Sequence, residues 1–411
     1  MSKIKIKNFG PIKEGYQEND GWMDIKKVTV FIGNQGSGKS TVAKVISTLT
    51  WLEKAINRGD IDKDKISHDY FHKQFEYQGI ETYFRDSTEI EYVGNRVIIK
   101  YNKALPYPAI EIFADVTYTV PKIMYVPAER NFLSVIENAT GVRGLPKPLF
   151  EFAEELRRGQ YEFGIKDIEI PLPINNVKYK FNILDESSLI VGEDFSVNLL
   201  VASSGFQSLV PLYFVSLILA NNILNNSEIN PNNISVDRSI RMNNEIGKIM
   251  TNDKLPNEQK INSVNAVKAK FQNKCFINIV EEPEQNLFPS SQRQLLNSLL
   301  EFSNINDGNK LIMTTHSPYL INYLTLAVEA NKLKLKVNSD ELKNKLDKIV
   351  PLASTINGDE LAIYELNEKN GSIRLLPSYK GLPSDENVLN EGLAHSNDLF
   401  SELLDIEDLC Q

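Results

Sequence analysis

The sequence predicts an α/β fold, and three segments carry that expectation. Lys27–Ile32 is a β-branched apolar run that passes through a glycine loop, Gly33–Gly38, into helix-spaced apolar residues at Val42, Val45, Ile46, Leu49 and Leu52. Phe276–Val280 is a second apolar run, and it ends in Glu281, Glu282 and Glu284. Lys310–Thr315 is a third, and it ends in His316. Short apolar runs alternating with helical segments read as buried parallel strands.

The remaining elements follow in order. Ile4–Lys7 alternates apolar and polar residues and reads as a half-exposed strand, closed by the turn Asn8-Phe9-Gly10-Pro11. Arg96–Lys100, Ile110–Ile112 and Lys122–Val126 read as strands, the last stopped by Pro127. Glu151–Arg158 is a charged helix, with short strands around Ile168 and Tyr179. Ser203–Leu224 is a strong helix candidate that Pro211 can kink. The Asn-rich stretch from Asn225 to about Asn273 reads as a partly helical insertion without sustained heptads. Gln292–Phe302 and Tyr319–Asn331 are helical. Leu361–Leu366 and Ile373–Leu376 flank Asn370-Gly371 and predict a β-hairpin with an Asn-Gly turn. Asp385–Gln411 is an acidic amphipathic helix or helix pair.

Composition narrows the classes. The 411 residues allow two or three domains, or one with insertions, and 42% hydrophobic residues exclude wholesale disorder. With 45 basic and 54 acidic residues the net charge is −9, which argues against a generally basic nucleic-acid coat protein. Cys275 and Cys410 are the only cysteines, too few for a disulfide framework or multi-cysteine zinc site. His68 and His72 lack an HExxH context and are expected on a solvated helix face. The start Met1-Ser2-Lys3-Ile4 is no signal region, and Leu209–Ala220, interrupted by Pro211 and Ser216, is too short to span a bilayer. The expectation is a cytoplasmic protein with no membrane partner.

Gly33-Asn34-Gln35-Gly36-Ser37-Gly38-Lys39-Ser40 fits GxxxxGK[ST], with a strand before it and a helix after it. Glycines let backbone N–H groups turn inward around a phosphate, and the helix N-terminus adds its dipole. The expected ATP-binding set runs from Gly33 through Gln35 and Ser37 to Thr41, with Lys39 on the β- and γ-phosphates and Ser40 on Mg²⁺. An apolar strand delivers Glu281 and Glu282 to the carboxyl edge of a parallel sheet, where such a loop also lies. Glu281 is expected in the Mg²⁺ shell, and Glu282 to polarise the attacking water. His316 is placed to contact the γ-phosphate and position that water. Ser203-Ser204-Gly205-Phe206-Gln207-Ser208 opens the apolar helix, either as an ordinary N-cap or as a γ-phosphate grip.

Together these pieces resemble the ABC-type ATPase heads of the SMC, RecF and OLD group, across about residues 1–330. The group's order is phosphate loop, signature helix, acidic strand and switch histidine, and the same order stands here at 33–40, 203–208, 276–282 and 316. "IKIKNFGPI" looks like the group's opening strand. "EEPEQNLFP" and "TTHSPYLI" are similar to the OLD-like acidic strand with D-loop and switch segment, and "YVPAERN" to a segment of small stand-alone OLD-like ATPases. Two departures stand out. Glu281 occupies the place of a customary Asp, and Phe206 the place of the second glycine of LSGGQ, while Ser204, Gly205 and Gln207 keep that pattern.

The resemblance implies a P-loop NTPase fold of the ABC-type head class, with a mixed sheet, a helical lobe and a small C-terminal α+β extension. The head spans 1–331, with lobe I about 1–130, lobe II about 200–331 and an insertion about 225–273. The hairpin and acidic tail fill 332–411. It also implies a homodimer, or higher homo-oligomer, that sandwiches two ATP-Mg²⁺. Ser204 would then act in trans, and the D-loop, Gln285-Asn286-Leu287 to Phe288, would cross the interface. Gln78 and the Glu129-Arg130 pair are the candidates for the group's lobe-linking glutamine. About 80 residues follow the switch helix, too few for the Toprim nuclease domain of OLD enzymes, and they contain no DxD. The implied role is the ATPase component of a prokaryotic anti-phage or foreign-DNA defence system, acting with a separate nuclease or toxin effector. The alternative is a RecF-like repair ATPase that binds DNA directly, for which Lys122, Arg130, Arg143, Lys147, Arg157 and Arg158 could form a basic groove. A transporter's ATPase subunit is disfavoured by the altered signature and the "NFGPI" opening.

Overall fold

The structure, a computed structural model, describes residues 2–114, 116–136, 141–225, 236–252 and 255–409. Parts of the expected insertion, the first residue and Cys410 lie outside the described residues. β1 (Ser2–Lys7), β2 (Gly15–Tyr16) and β3 (Met23–Ile25) lead to β4 (Val28–Gly33), which is buried along its whole length. α1 (Lys39–Arg58) follows the glycine loop and stops at Gly59 in the left-handed conformation. α2 (His68–Phe75) precedes β5 (Glu89–Val93), β6 (Val97–Asn102), β7 (Ala109–Ile112) and β8 (Pro121–Val126). α3 (Lys147–Ile165) is followed by β9 (Ile170–Pro171), β10 (Lys178–Asn182), β11 (Ser187–Val191) and β12 (Ser196–Asn198). Then come α4 (Ser204–Asn225), α5 (Val236–Met250), α6 (Asn257–Phe271), β13 (Cys275–Glu281), α7 (Pro289–Asn304), β14 (Lys310–Thr314) and α8 (Pro318–Lys334). α9 (Asp340–Ile349), the hairpin β15 (Leu361–Leu366) and β16 (Ser372–Leu375), and α10 (Val388–Leu409) complete the chain.

The central sheet is mixed, in the order β2-β16-β15-β4-β14-β13-β8. Five neighbours, from β15 to β8, run parallel, and β16 returns antiparallel to β15. β4, β14 and β13 are adjacent, so their carboxyl ends share one edge. A second, antiparallel sheet, β3-β1-β5-β6-β7, covers the far side of α1. Val42, Val45, Ile46, Leu49 and Leu52 of α1 are fully buried between the two sheets, against Ile4, Ile90 and Val97 on one side and Phe31, Ile279 and Ile312 on the other. Each such side chain contributes about 1.5–3 kcal/mol by leaving water. The opposite face of the central sheet is covered by α3, α4, α7 and α8 around Phe152, Phe214, Leu296 and Leu324. The architecture is a mixed α/β one, a parallel core flanked by an antiparallel sheet and a helical lobe.

Four expectations are modified. The hairpin does not stand apart, because β15 inserts beside β4 with Leu366 paired to Gly33. Its connection runs from Asn367 to Gly371 and is longer than a two-residue Asn-Gly turn. Gly371, at φ 65°, presses on the N-terminal loop, where a Cβ would lie 2.4 Å from Pro11 O. His68 and His72 are not on a solvated face: His68 Nε2 pairs with Leu105 O at 2.9 Å, and His72 bonds the Tyr101 hydroxyl and stacks on Phe84. Arg130 drops out of the expected basic groove, since it is fully buried, and Lys122 and Arg158 both pair with Glu155. Finally, Ser204–Leu224 is long and apolar enough to cross a membrane by length and composition, longer than the run read from sequence, and 67% of it is buried in the core.

Candidate nucleotide-binding and hydrolysis site

The glycine loop is shaped by conformations that other residues resist. Gly33 has φ 143°, and a Cβ there would meet Leu366 O of β15 at 2.4 Å. Gly38, immediately before α1, has φ 101° and lies against Ile12, whose Cδ1 would be 2.5 Å from an added Cβ. Gly36 is turned over as well, at φ 74°, and Ser37 N closes the loop onto Asn34 O at 3.3 Å. Lys39 Nζ donates to Gly33 O and Asn34 O, both at 2.8 Å, so its ammonium lies inside the loop. Burial pulls its pKa down to about 8, opposed by the charges of Glu282, Glu284 and Glu368. Ser37 Oγ is buried without a partner among the described residues, while Ser40 is exposed at the first turn of α1.

The acidic strand delivers its carboxylates to the same edge. Glu281 is the last residue of β13 and is buried, with Oε2 accepting from Ala128 N at 3.3 Å. The chain then turns sharply at Glu282, which has φ 44°, unusual for a residue with a side chain. That turn is held by Glu282 N donating to Thr314 O at 2.9 Å. It swings the Glu282 carboxylate outward, with Oε1 3.8 Å from His316 Nε2. His316 is half-buried, and burial, then the Lys39 charge, holds its imidazole below the usual histidine range. A neutral imidazole beside a carboxylate can accept or relay a proton from a water between them.

Sequence reasoning missed three parts. Glu284 is half-buried, and its Oε1 accepts the His316 backbone N–H at 2.7 Å, fixing His316 to the acidic turn. Burial pushes its carboxyl above the usual range. The third acid of "EEPEQN" was the available signal. Asn34 Nδ2 donates to Glu368 Oε1 at 3.1 Å, so the C-terminal hairpin overhangs the phosphate loop. Arg130 reaches the carbonyls of Glu281 and Glu282. Gln78 does not reach the site, because its amide bonds Ser47 Oγ two turns along α1 at 3.1 Å. Glu129 is exposed.

The serine-glycine turn divides. Ser204 is exposed at the start of α4. Gly205 lies against the D-loop of its own chain, where a Cβ would approach Asn286 O to 3.1 Å. Gln207 turns inward, its amide donating to Leu199 O and Leu200 O at 3.2 and 3.0 Å. Asn286, at φ 60°, donates from Nδ2 to Ser208 Oγ at 2.9 Å. Gln285 N and Leu287 N close the loop onto Glu282 O and Glu284 O. Phe288, next along, is 75% exposed.

Residues 243–321 match the family described as the AAA ATPase domain. The matched segment runs from α5 through the acidic strand and His316 into α8. No curated protein matches the chain. Among solved structures, the chain is similar to the SMC head domain from Thermotoga maritima, at 10% identity and TM-score 0.37, covering 92% of this chain and 98% of that one. It is also similar to the Smc head domain with an extended coiled coil from Pyrococcus furiosus, bound to the C-terminal domain of ScpA, at 8% identity and TM-score 0.40, covering 98% and 100%. A third is a dimeric ATP-binding cassette in a post-hydrolysis state with ADP and Pi, at 12% identity and TM-score 0.29, covering 92% and 100%.

The groups present fit ATP-Mg²⁺. The loop offers a buried ammonium and the orphaned Ser37 Oγ. Among the described residues no cluster of three or more His, Cys, Asp or Glu could hold a metal alone.

Proposed function

We propose that this chain is an ATP-hydrolysing dimeric switch of the stand-alone OLD-like kind, and that it works as the ATPase component of an anti-phage or foreign-DNA defence system. The observation that supports hydrolysis best is the convergence of Lys39, Glu281, Glu282 and His316 on one edge of the central sheet. In this reading Gly33–Thr41 binds the triphosphate, and Ser40 with Glu281 holds Mg²⁺, which would supply charge neutralisation at the phosphates. Glu282 orients the attacking water and takes up its proton, and His316 positions that water. Exposed Ser204 and the loop from Gln285 to Phe288 face a second copy, so that hydrolysis reopens the dimer.

A separate nuclease or toxin effector is favoured by α10, whose carboxyl-terminal turns carry exposed Leu399, Phe400 and Leu403 among the acids Asp398, Glu402 and Asp405. The repair-ATPase alternative is less favoured, because Arg130 is fully buried and Lys122 and Arg158 share one carboxylate, Glu155. Glu282→Gln tests the chemistry: ATP turnover is expected to fall about 100-fold or more while ATP binding persists. Turnover at the wild-type rate would remove Glu282 from its role.

A further inference from the structure

Arg130 has the largest side chain of the fully buried set. Its guanidinium makes four hydrogen bonds, all to backbone carbonyls. Nη1 donates to Glu281 O at 2.7 Å and Pro127 O at 3.3 Å, Nη2 to Glu282 O at 2.6 Å, and Nε to Ser208 O at 3.1 Å. One planar cation thereby ties three segments together: its own 3₁₀ turn (Ala128–Ser134), the acidic turn after β13 and the second turn of α4. Burying a cation without a contacting carboxylate is costly, and an apolar residue would pack such a position more cheaply. Burial lowers its pKa to about 10, opposed by the charges of Glu284, Glu282, Glu281 and Glu129.

Two further observations show what the tie does. Glu282 sits at φ 44°, where only strong external hydrogen bonds keep a non-glycine residue. Thr314 O takes its N–H, and Arg130 holds its carbonyl. On the other side, Pro211 lies inside α4 and has no N–H to offer the carbonyl four residues earlier, that of Gln207. Ser134 Oγ, from the same 3₁₀ turn as Arg130, donates to Gln207 O at 2.7 Å instead. The turn at 128–134 thus grips the start of α4 at two consecutive carbonyls.

We infer that Arg130 is a positioning residue for hydrolysis: it fixes the left-handed backbone of Glu282 and locks the serine-glycine turn to it, so that the acid of one site and the serine offered to a second copy move as one body. The inference rests on the proposed roles of Glu282 and Ser204. Arg130 touches no phosphate-loop atom, so its loss acts on turnover and not on ATP capture.

The test compares full-length wild type, Arg130→Lys and Arg130→Met. ATP-Mg²⁺ affinity is measured by fluorescent-nucleotide titration and steady-state turnover across ATP concentrations, with kcat expressed per nucleotide-binding site. The expected result is a Kd within about 3-fold of wild type, with kcat about 100-fold lower for Arg130→Met and about 10-fold lower for Arg130→Lys, which keeps charge but not the planar fork. An unchanged kcat per site would overturn the inference, as would parallel losses of affinity and turnover, the mark of a merely structural strut. Should Arg130→Met not fold, Ser134→Ala removes only the bond to Gln207 O. It is expected to lower kcat about 3–10-fold at unchanged Kd, and an unchanged kcat again overturns the inference. Glu282→Gln is measured alongside: wild-type turnover there would mean that the assigned acid is wrong, a failure separable from any result on Arg130.

Discussion

The central sheet has two edges, and each holds a lysine shielded from water, Lys39 buried and Lys310 half-buried. Lys39 at the carboxyl edge and Lys310 at the amino edge are both pulled down by burial to about 8. Lys39 lies in the glycine loop against the Gly33 and Asn34 carbonyls, with Glu282, Glu284 and Glu368 adding their charges. Lys310 donates to Ile25 O at 2.8 Å, and its neighbours are closed among themselves. Glu53 there accepts from the Tyr92 hydroxyl and Arg96 N, and the Cys275 thiol is pushed up to about 11 by burial. A perturbed lysine therefore does not mark a site. Strand direction does, because parallel strands deliver loops and acids to their carboxyl ends alone.

That contrast can be broken by substitution at either edge. The largest expected effect is that of Lys39→Ala, with ATP affinity reduced about 100-fold or more in calorimetric titration, because the phosphates lose their charge-assisted donor. His316→Ala is expected to cost about 10–100-fold in kcat with little change in ATP affinity, as loss of a water-positioning group does. Next comes a pH effect. Lys39 in the free protein loses its proton near pH 8, and bound phosphates favour the charged form. ATP affinity should then hold steady below about pH 8 and fall about tenfold per pH unit above it, whereas Lys39→Arg should flatten that limb. A limb shared by both proteins would assign the titration elsewhere.

The amino edge should answer in stability alone. The folded pKa of Lys310, about 8, lies below its unfolded value. Below pH 8 the lysine is charged in both states and the burial penalty is constant. Between about pH 8 and 10.4 only the folded state releases the proton, so stability rises with pH in that window. Denaturant melts of wild type and Lys310→Met should therefore converge by about 2 kcal/mol from pH 8 to pH 10, with ATP affinity the same in both. A changed ATP affinity would mean that the two edges communicate.

What was legible in the sequence follows the same division. The phosphate loop, the acidic strand end and His316 are local patterns in which residue type and chemistry coincide, and the strand order brings them together. Glu284 reads locally as one more acid at the strand end, and only the fold shows its carboxylate under the His316 N–H. Arg130 was harder, since its partners are main-chain carbonyls as distant as Glu282, and a carbonyl leaves no trace in residue identity. The placing of β15 beside β4 was also hidden, because an apolar hairpin does not name the strand it joins. Gln207 kept its place in the motif while its amide turned to Leu199 and Leu200. A motif fixes which residue stands at a position, but packing fixes where its side chain points.

The proposed switch requires that the carboxyl edge turn over ATP only when a second copy supplies Ser204. Native mass spectrometry of full-length Glu282→Gln protein, with and without ATP-Mg²⁺, tests it most directly. The 46.6 kDa chain should double in mass when ATP-Mg²⁺ is present and return to the single mass when the nucleotide is removed. A monomer carrying bound ATP under the same conditions would contradict the account, because Ser204 would then have no second site to complete.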